Sequence, residues 1–511
     1  MKKESIIIGT LILTVATTIT RLIGFIFRIY LANVLGAEGM GLFQLIISFY
    51  ILMITLATAS IRVAVSRLMA EEIALRHYEN AKKTLNQSII LSLFTGFFAA
   101  FIMYFFAHYI GKEILNDERT VLSLLYLVPT LPIIAVSSCY KGYFFAVNKV
   151  AKPSIVQVVE QVVRILVIFS IMDYYLPKGL EYGCAAVSIG MCFEEIASLI
   201  LIWFFYTFSK KPFKRNKEIK ADNMTFKILK ISLPLSGTSL LNSVLRTVEN
   251  ILIPAQLILY GASVESAMGL YGIIKGMVLP LLFFPSSFLT SLASILIPSV
   301  AGDNVTCNER KVTRTLSKVL HLTAISGILV VSLFISFPQE IAMSIYHDPL
   351  VGTMLKIIAF VCPFMYLNMV ISSMLNALGE QMSSFKVNII ESILKISIIY
   401  FFVPIYGFDA YLFSLFITTI LNTILYLFRL LQVSCIVFDI SNWIFKPLIS
   451  AFIASVASKF LFTLFATGKT IYLFPLISAI IILCLLYLML LILFKSIHLM
   501  SFKELKQMLR N

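Results

Sequence analysis

Apolar segments of about twenty residues or more follow one another along almost the whole chain, separated by short polar stretches. A helix needs about 20 apolar residues to cross the hydrocarbon core of a bilayer, and it satisfies all of its backbone hydrogen bonds within the segment. Of the 511 residues, 59% are hydrophobic and only 13% are charged, against roughly 25% charged residues in soluble domains. The chain is therefore predicted to be an all-α polytopic membrane protein.

The hydropathy pattern predicts about fourteen transmembrane helices. The first apolar run follows a basic flank, but it is too long for a cleavable signal peptide and is expected to be retained as a span. The predicted limits are 5–31, 41–65, 86–110, 121–147, 153–175, 183–208, 227–258, 268–300, 316–337, 352–378, 385–404, 408–434, 447–467 and 471–494.

Lysine and arginine are concentrated in alternate loops, which indicates the orientation of the spans, because cytoplasmic loops retain these residues. The strongly basic segments all fall on one side of the predicted topology: 2–3, 67–83, 149–152, 210–220, 310–318, 386, 446 and 503–510. The intervening loops carry little positive charge. We therefore expect a multi-pass protein of the cell membrane with both termini in the cytoplasm.

The formal net charge of +15 is explained by this topology. The basic residues are dispersed over many short loops rather than gathered on one face, so contact with anionic lipid head groups is favoured over nucleic-acid binding. The seven cysteines and five histidines are also dispersed and show no metal-ligand spacing and no disulfide framework. The sequence thus predicts no metal, no cofactor and no nucleic-acid partner.

An internal repeat relates the two halves of the chain. Residues 156–164 (VQVVEQVVR) match 387–395 (VNIIESILK), and residues 40–43 (MGLF) match 268–271 (MGLY). Six spans separate the copies, so both halves face the same way across the membrane, and the predicted pseudo-twofold axis runs along the membrane normal. The predicted domains are an N-lobe of six spans (1–220), a C-lobe of six spans (221–438) and an appended helix pair with a short basic tail (439–511).

The longer repeat places an acid and a base four residues apart on one helix face in each half. Glu160 precedes Arg164, and Glu391 precedes Lys395. Each pair is predicted to be a structural salt bridge within its lobe, with coupling to a transported cation as the alternative. Glu249 is the first candidate for ion coupling, ahead of Glu160 and Glu391.

Two arginines interrupt the first apolar span. Arg21 and Arg28 are seven residues apart, or two helical turns, so they project from nearly the same face. A charge near the bilayer centre costs roughly 2.5–3.5 kcal/mol, and the pair therefore predicts a polar cavity with an anionic ligand. Arg21 is the leading substrate contact, because Arg28 is close enough to the outer surface to reach the head groups.

Further charges lie in the second, seventh and eighth predicted spans. Arg246 and Glu249 are three residues apart and can pair, and Lys275 lies about 10 Å deep in the eighth span. The predicted topology places these groups, with Arg21, in the outer half of the membrane, where they would line one outward-widening cavity. Arg62, at the cytoplasmic end of the second span, either joins the substrate site or snorkels to the head groups.

Several segments give the chain a family resemblance. Residues 9–13 (GTLIL), 20–25 (TRLIGF), 35–42 (LGAEGMGL) and 64–71 (AVSRLMAE), with ISLP, ILIP and ASILIP in the second half, resemble the sporulation-type polysaccharide exporters. These belong to the MOP exporter superfamily, which also contains the MurJ-type lipid II flippases and the MATE drug exporters. The resemblance covers essentially the whole chain and implies that Arg21 and Lys275 match cavity arginines of the lipid II flippases.

What the resemblance implies is a flippase rather than an enzyme, carrying an undecaprenyl-diphosphate-linked peptidoglycan precursor outward for the spore cortex. The expected partners are this lipid-linked anionic glycan, membrane lipids and cell-wall polymerases, and the expected state is a monomer. A flippase for another lipid-linked polysaccharide unit and a cation-coupled MATE-type drug exporter are the alternatives. The sequence shows no nucleotide-binding domain, so a membrane potential, an ion gradient or consumption of the delivered precursor would drive transport.

Overall fold

The computed structural model describes residues 3–209, 223–286, 289, 309–434, 436, 439–465 and 473–496, with side chains from residue 15 onward except at 309, 465 and 473. Within these ranges all regular secondary structure is helical. The α-helices are α1 Lys3–Thr58, α2 Ile61–Ala74, α3 Tyr78–Phe105, α4 Ala107–Tyr109, α5 Thr120–Leu127, α6 Thr130–Ala146, α7 Ala151–Tyr175, α8 Leu180–Thr207, α9 Met224–Leu259, α10 Val264–Gly272, α11 Leu279–Phe283, α12 Glu309–Ser336, α13 Pro338–Ile345, α14 Pro349–Ile358, α15 Cys362–Ala377, α16 Gln381–Tyr406, α17 Phe408–Val433, α18 Lys446–Phe465 and α19 Leu473–Leu493.

Shorter helical turns extend several of these elements. Ile110–Ile114, Ile273–Val278 and Ser441–Phe445 are π-helical, and Leu176–Lys178 and Ala359–Val361 are 3₁₀-helical. Parts of several predicted features lie outside the described residues: the basic loop at 210–222, the end of the eighth span at 290–300, the end of the thirteenth at 466–467, the start of the fourteenth at 471–472 and the C-terminal tail from 497.

Twelve helical stretches in the described part of the chain are long and apolar enough to cross a membrane. The bent pair α5 and α6, which meet at 43°, adds a thirteenth. One of the twelve is the 60-residue stretch Val15–Ala74, which contains most of the first predicted span and the whole of the second. The all-helical, multi-pass fold is thereby confirmed, while the count of fourteen spans stays a prediction.

Gly36 breaks α1 between its first two predicted spans. Its backbone has φ 70° and ψ −177°, a conformation that L-residues with a Cβ rarely adopt and glycine adopts readily. A second break follows at Ala59 and Ser60, which both have positive φ and separate α1 from α2. The regular helix of the long apolar stretch is therefore interrupted at two defined points.

Glycines allow α1 and α10 to touch through their backbones. A Cβ on Gly41 would overlap the carbonyl oxygen of Met268, and a Cβ on Gly272 would overlap the carbonyl oxygen of Ala37 and lie 2.6 Å from the Gly41 nitrogen. Gly41 and Met268 belong to the MGLF and MGLY segments of the predicted repeat. The similarity of these two segments thus coincides with a direct contact between the helices that carry them.

The chain divides into two compact units. The first comprises Met1–Gly276 and Ser392–Tyr411, and the second comprises Met277–Glu391 and Leu412–Asn511. Two apolar clusters form the core of the first unit, one around Tyr50 and one around Tyr143, and a smaller cluster around Tyr487 lies in the second unit. The two six-span lobes predicted from the repeat, at 1–220 and 221–438, stay a prediction.

Candidate functional site

The first span presents its two arginines differently. Arg21 has an exposed side chain and Arg28 is half-buried. Between them, Gly24 approaches the Gln161 side chain of α7, and the guanidinium of Arg164 lies 5.6 Å from the centre of the Phe27 ring. The arginine-bearing segment of α1 therefore packs against α7, next to the charged groups of that helix.

Arg62 and Arg246 are both exposed. Arg62 is the second residue of α2 and Arg246 lies in the middle of α9. Their exposure leaves both side chains accessible to a ligand or to lipid head groups. That they share one cavity with Arg21 remains a prediction.

Glu249 is the centre of a group that we call the Glu249 triad, formed by Glu249 of α9, Lys275 of the π-helical turn and Lys395 of α16. Its Oε1 accepts from Lys275 Nζ at 2.9 Å and from Lys395 Nζ at 3.0 Å. The side chains are 11%, 19% and 13% exposed, respectively. All three residues belong to the first compact unit, and the triad has a formal charge of +1.

Polar groups of α1 and α9 continue this charged layer. Thr247 donates to the Ser48 carbonyl at 3.1 Å, and Asn250 Nδ2 donates to the Ser48 hydroxyl at 2.9 Å. Hydrogen bonds inside a membrane-spanning bundle avoid leaving polar groups unsatisfied in hydrocarbon. Hydrogen bonds from residues close to Glu249 in α9 thus join this helix to the second predicted span of α1.

A second charged group, the α7 cluster, consists of Lys141 of α6, Glu160 and Arg164 of α7, and Glu194 and Glu195 of α8. Lys141 Nζ donates to Glu160 at 2.8 Å, and Arg164 lies 3.3 Å from Glu194. One carboxyl oxygen of Glu195 is buried with no hydrogen-bond partner among the described residues. Three carboxylates therefore face two bases within three neighbouring helices.

The remaining ion-coupling candidate, Glu391, lies in the second compact unit. Its carboxylate accepts a hydrogen bond from the Asn422 amide of α17. Asn422 itself is 5% exposed. An amide donor hydrogen-bonds a carboxylate without cancelling its charge.

The structure changes both expected pairings. Glu160 bonds Lys141 rather than Arg164, and Arg164 pairs with Glu194. Lys395 pairs with Glu249 rather than with Glu391. An acid and a base at i and i+4 can meet on an isolated helix, but here neighbouring helices supply partners and each group pairs across a helix interface instead.

Arg246, three residues before Glu249, is close enough along α9 to pair with it, but the structure pairs Glu249 with Lys275 and Lys395. Lys395 was not recognised as a site residue from the sequence. The signal that could have identified Lys395 is its equivalence to Arg164 in the repeat. In both copies the base pairs with a carboxylate on another helix.

A cavity of about 480 Å³ lies between α2 and α9 and contains none of the predicted site residues. Its lining includes Arg67, Lys227 and Lys230, with apolar side chains between them. Arg67 bonds Glu71 at 2.9 Å and Lys227 lies 3.7 Å from Glu72. Much of its positive charge is therefore already paired.

Outside the spans, Arg119 joins the loop before α5 to the residues after the Gly36 break. It donates to both oxygens of Asp117 at 2.7–3.2 Å and to Glu38 at 2.6 Å. The hydrogen bond with Asp117, followed by that with Glu38, holds the pKa of Arg119 above its ordinary value. The described residues contain no group of three or more His, Cys, Asp or Glu side chains arranged to hold a metal ion.

The chain matches two protein-family models and is similar to a known protein over most of its length. The family model described as "Polysaccharide biosynthesis protein" matches residues 6–302, and the MatE model matches residues 265–401. The chain is 28% identical over 405 residues to stage V sporulation protein B of Bacillus subtilis (strain 168), covering 78% of each protein.

Two solved structures share the fold. A lipid II flippase MurJ in an inward closed conformation aligns with a TM-score of 0.70 and 18% identity, covering 95% of this chain and 98% of that one. An inward-facing multidrug resistance MATE family transporter of the MOP superfamily aligns with a TM-score of 0.63 and 16% identity, covering 81% and 95%. These structures show the shared fold, and the two family models with the similarity to stage V sporulation protein B confirm the resemblance to the MOP exporter superfamily.

Proposed function

We propose that this chain, which belongs to the polysaccharide biosynthesis protein family, is a flippase that moves a lipid-linked, diphosphate-bearing glycan from the inner to the outer leaflet. Similarity to stage V sporulation protein B and the fold shared with MurJ and MATE transporters support a membrane flippase or transporter of the MOP superfamily. The more specific substrate is a peptidoglycan precursor of the lipid II type, and the role is spore cortex synthesis.

The observation that carries this proposal is the excess of positive charge on helices that span the membrane. The Glu249 triad contains two ammonium groups and one carboxylate, and exposed Arg21, Arg62 and Arg246 lie on α1, α2 and α9 of the same unit. Arginine grips phosphate oxygens through bidentate charge-assisted hydrogen bonds. A diphosphate supplies the anionic oxygens that such a set of groups requires.

The mechanism follows from the chemistry of the cargo. The diphosphate and glycan need a hydrated cavity, whereas the polyprenyl tail remains favourable in lipid, so an open-sided cavity with alternating access suits both parts. We propose that the lobes 1–220 and 221–438 alternate around this cavity, with both termini in the cytoplasm. Arg21, Arg28, Arg62, Arg246 and Lys275 would contact the head group.

Coupling to a cation would use a carboxylate within the membrane. Glu160 belongs to a cluster with one more carboxylate than bases, and this surplus of negative charge supports a coupling role for Glu160. Glu391 stays a candidate as the residue that matches Glu160 in the repeat. Glu249 already faces two ammonium groups, which makes it a weaker candidate than Glu160 for binding a further cation.

A drug exporter of organic cations is the competing proposal. Such a transporter needs a carboxylate whose charge is available to the cargo. The net positive Glu249 triad would repel an organic cation, and this electrostatic argument favours an anionic substrate. The family model named for polysaccharide biosynthesis supports, as a second candidate, a flippase for another lipid-linked polysaccharide unit.

Native mass spectrometry of the purified protein tests the substrate class. We expect the unaltered protein to retain a lipid-linked diphosphate and Arg21→Ala to lose it. Arg67→Ala is the matched control, because Arg67 is exposed and paired with Glu71, and this variant should retain the ligand. Retention that is unchanged in Arg21→Ala, or preferential binding of cationic dyes, would overturn the proposal. The same measurement with added lipid II, and with an undecaprenyl-diphosphate-linked unit of different glycan composition, then distinguishes a flippase for a peptidoglycan precursor from one for another polysaccharide unit by which of the two ligands the protein retains.

A further inference from the structure

Both lysines of the Glu249 triad bond a single carboxylate oxygen. Lys275 Nζ is 2.9 Å and Lys395 Nζ is 3.0 Å from Glu249 Oε1, so the two nitrogens lie within about 6 Å of each other. The two ammonium groups therefore converge on one point from two different helices. A phosphate or diphosphate group is large enough to accept hydrogen bonds from both at that separation.

One base would be enough to neutralise Glu249. The second ammonium leaves a net charge of +1 among side chains that are only 11% to 19% exposed. A partly buried surplus charge is unfavourable unless a counter-charge approaches it. The two lysine side chains keep 19% and 13% of their surface exposed, and an anion would approach them through this surface.

On the basis of the proposed function, we propose that Lys275 and Lys395 form one phosphate subsite. Glu249 competes with the phosphate for the two ammonium groups and holds them in place while the site is empty. The arriving diphosphate takes one or both ammonium groups from Glu249. Lys395 is thereby a substrate-binding residue. Glu249 adjusts the affinity of the subsite, so that the substrate is bound but can still be released.

A purely structural ion pair makes the opposite prediction for one variant. If Glu249 only stabilises the helix bundle, then removing its charge harms binding in the same direction as removing a lysine. If Glu249 competes with the ligand, its removal strengthens binding, because the subsite charge rises from +1 to +2. The affinity for the diphosphate ligand should therefore depend on the net charge of the subsite and not on whether the ion pairs of Glu249 are intact.

The experiment measures binding of undecaprenyl diphosphate by full-length protein in nanodiscs of zwitterionic lipid. At separations of a few ångströms, one unit charge near a protein surface changes an interaction enough to alter affinity about tenfold or more. We expect Glu249→Gln to bind about tenfold more tightly and Lys395→Met about tenfold more weakly. The double variant, which restores the charge of +1, should return to nearly the original affinity.

Control variants separate charge from folding. Lys386→Met, at an exposed residue of the same helix, should leave the affinity unchanged, and Lys395→Arg, which keeps the charge, should retain binding even if Lys395→Met unfolds. Competition by inorganic pyrophosphate shows whether the phosphate group itself occupies the subsite. Weaker binding by Glu249→Gln, or loss of binding in Lys395→Arg, would overturn this inference.

The same measurement distinguishes this inference from the proposed function. If the unaltered protein does not bind undecaprenyl diphosphate at all, the proposed substrate class is wrong. If the unaltered protein binds it but the affinities of the variants do not follow the charge of the subsite, only the roles of Lys395 and Glu249 are wrong.

Discussion

Replacing Arg119 by methionine should destabilise the protein measurably without touching the proposed cavity. Arg119 makes hydrogen bonds to both oxygens of Asp117 and to Glu38, and the substitution keeps a long side chain while removing the guanidinium. The Asp117 side chain, which is only 5% exposed, is then left without its ionic partner. Glu38, two residues after the Gly36 break, loses its tether to the loop before α5.

The expected magnitude follows from burial. Leaving a buried ionic group unpaired costs about 3–5 kcal/mol, whereas exposed pairs contribute about 0.2–1 kcal/mol. Arg119 and Glu38 are 31% and 26% exposed, so the network lies between these limits, and we expect a loss of about 2–3 kcal/mol. For 511 residues, an unfolding entropy of about 2.1 cal/mol/K per residue converts this loss to a fall in Tm of about 2–3 °C.

Differential scanning calorimetry in detergent, at pH 7 and low salt, measures this shift. Arg67→Met is the matched control, because Arg67 and Glu71 are 67% and 51% exposed, and its Tm should change by less than about 1 °C. Because the pKa of Arg119 is raised, the stability that its charge contributes is fully present below the ordinary arginine pKa. The difference in Tm between the original protein and Arg119→Met should therefore not shrink between pH 7 and pH 10. A Tm equal to that of Arg67→Met would refute the reasoning.

Two further predictions concern helix contact and pH. Gly272→Ala should lower both Tm and precursor transport in reconstituted vesicles, because the added Cβ would overlap backbone atoms at Ala37 and Gly41. Gly269→Ala is the control and should preserve both, because a Cβ there meets nothing within 4 Å. Equal effects of the two substitutions would contradict the close packing of α1 and α10. Hydrogen bonds from Arg429, followed by the one from Ser383, hold the pKa of Glu380 below its ordinary value. The ionised carboxylate therefore stabilises the folded protein above its ordinary pKa of about 4.3. This stabilisation is lost as the pH falls and Glu380 becomes protonated. Thermal unfolding of Arg429→Met should therefore converge with that of the original protein at acidic pH, and a difference that widened on acidification would disprove the assignment.

Local sequence patterns were sufficient for the helical, membrane-spanning class of this protein, because the bilayer requires each crossing segment to be apolar and to satisfy its own backbone hydrogen bonds. The same requirement makes each charged residue within a span conspicuous, which is how Arg21, Lys275 and Glu249 were identified as candidates. The predicted repeat also marked Lys395, although it suggested Glu391 as the partner. These inferences needed only the order of residues along single helices.

Only the tertiary structure decided which of these charges meet. Glu249 and Lys395 are far apart in the chain, and their contact at 3.0 Å depends on α9 and α16 being neighbours. Likewise, Glu160 bonds Lys141 of α6 although Arg164 is only four residues away. Helical periodicity determines the direction in which a side chain leaves its own helix, but the helix that packs against that face supplies its partner.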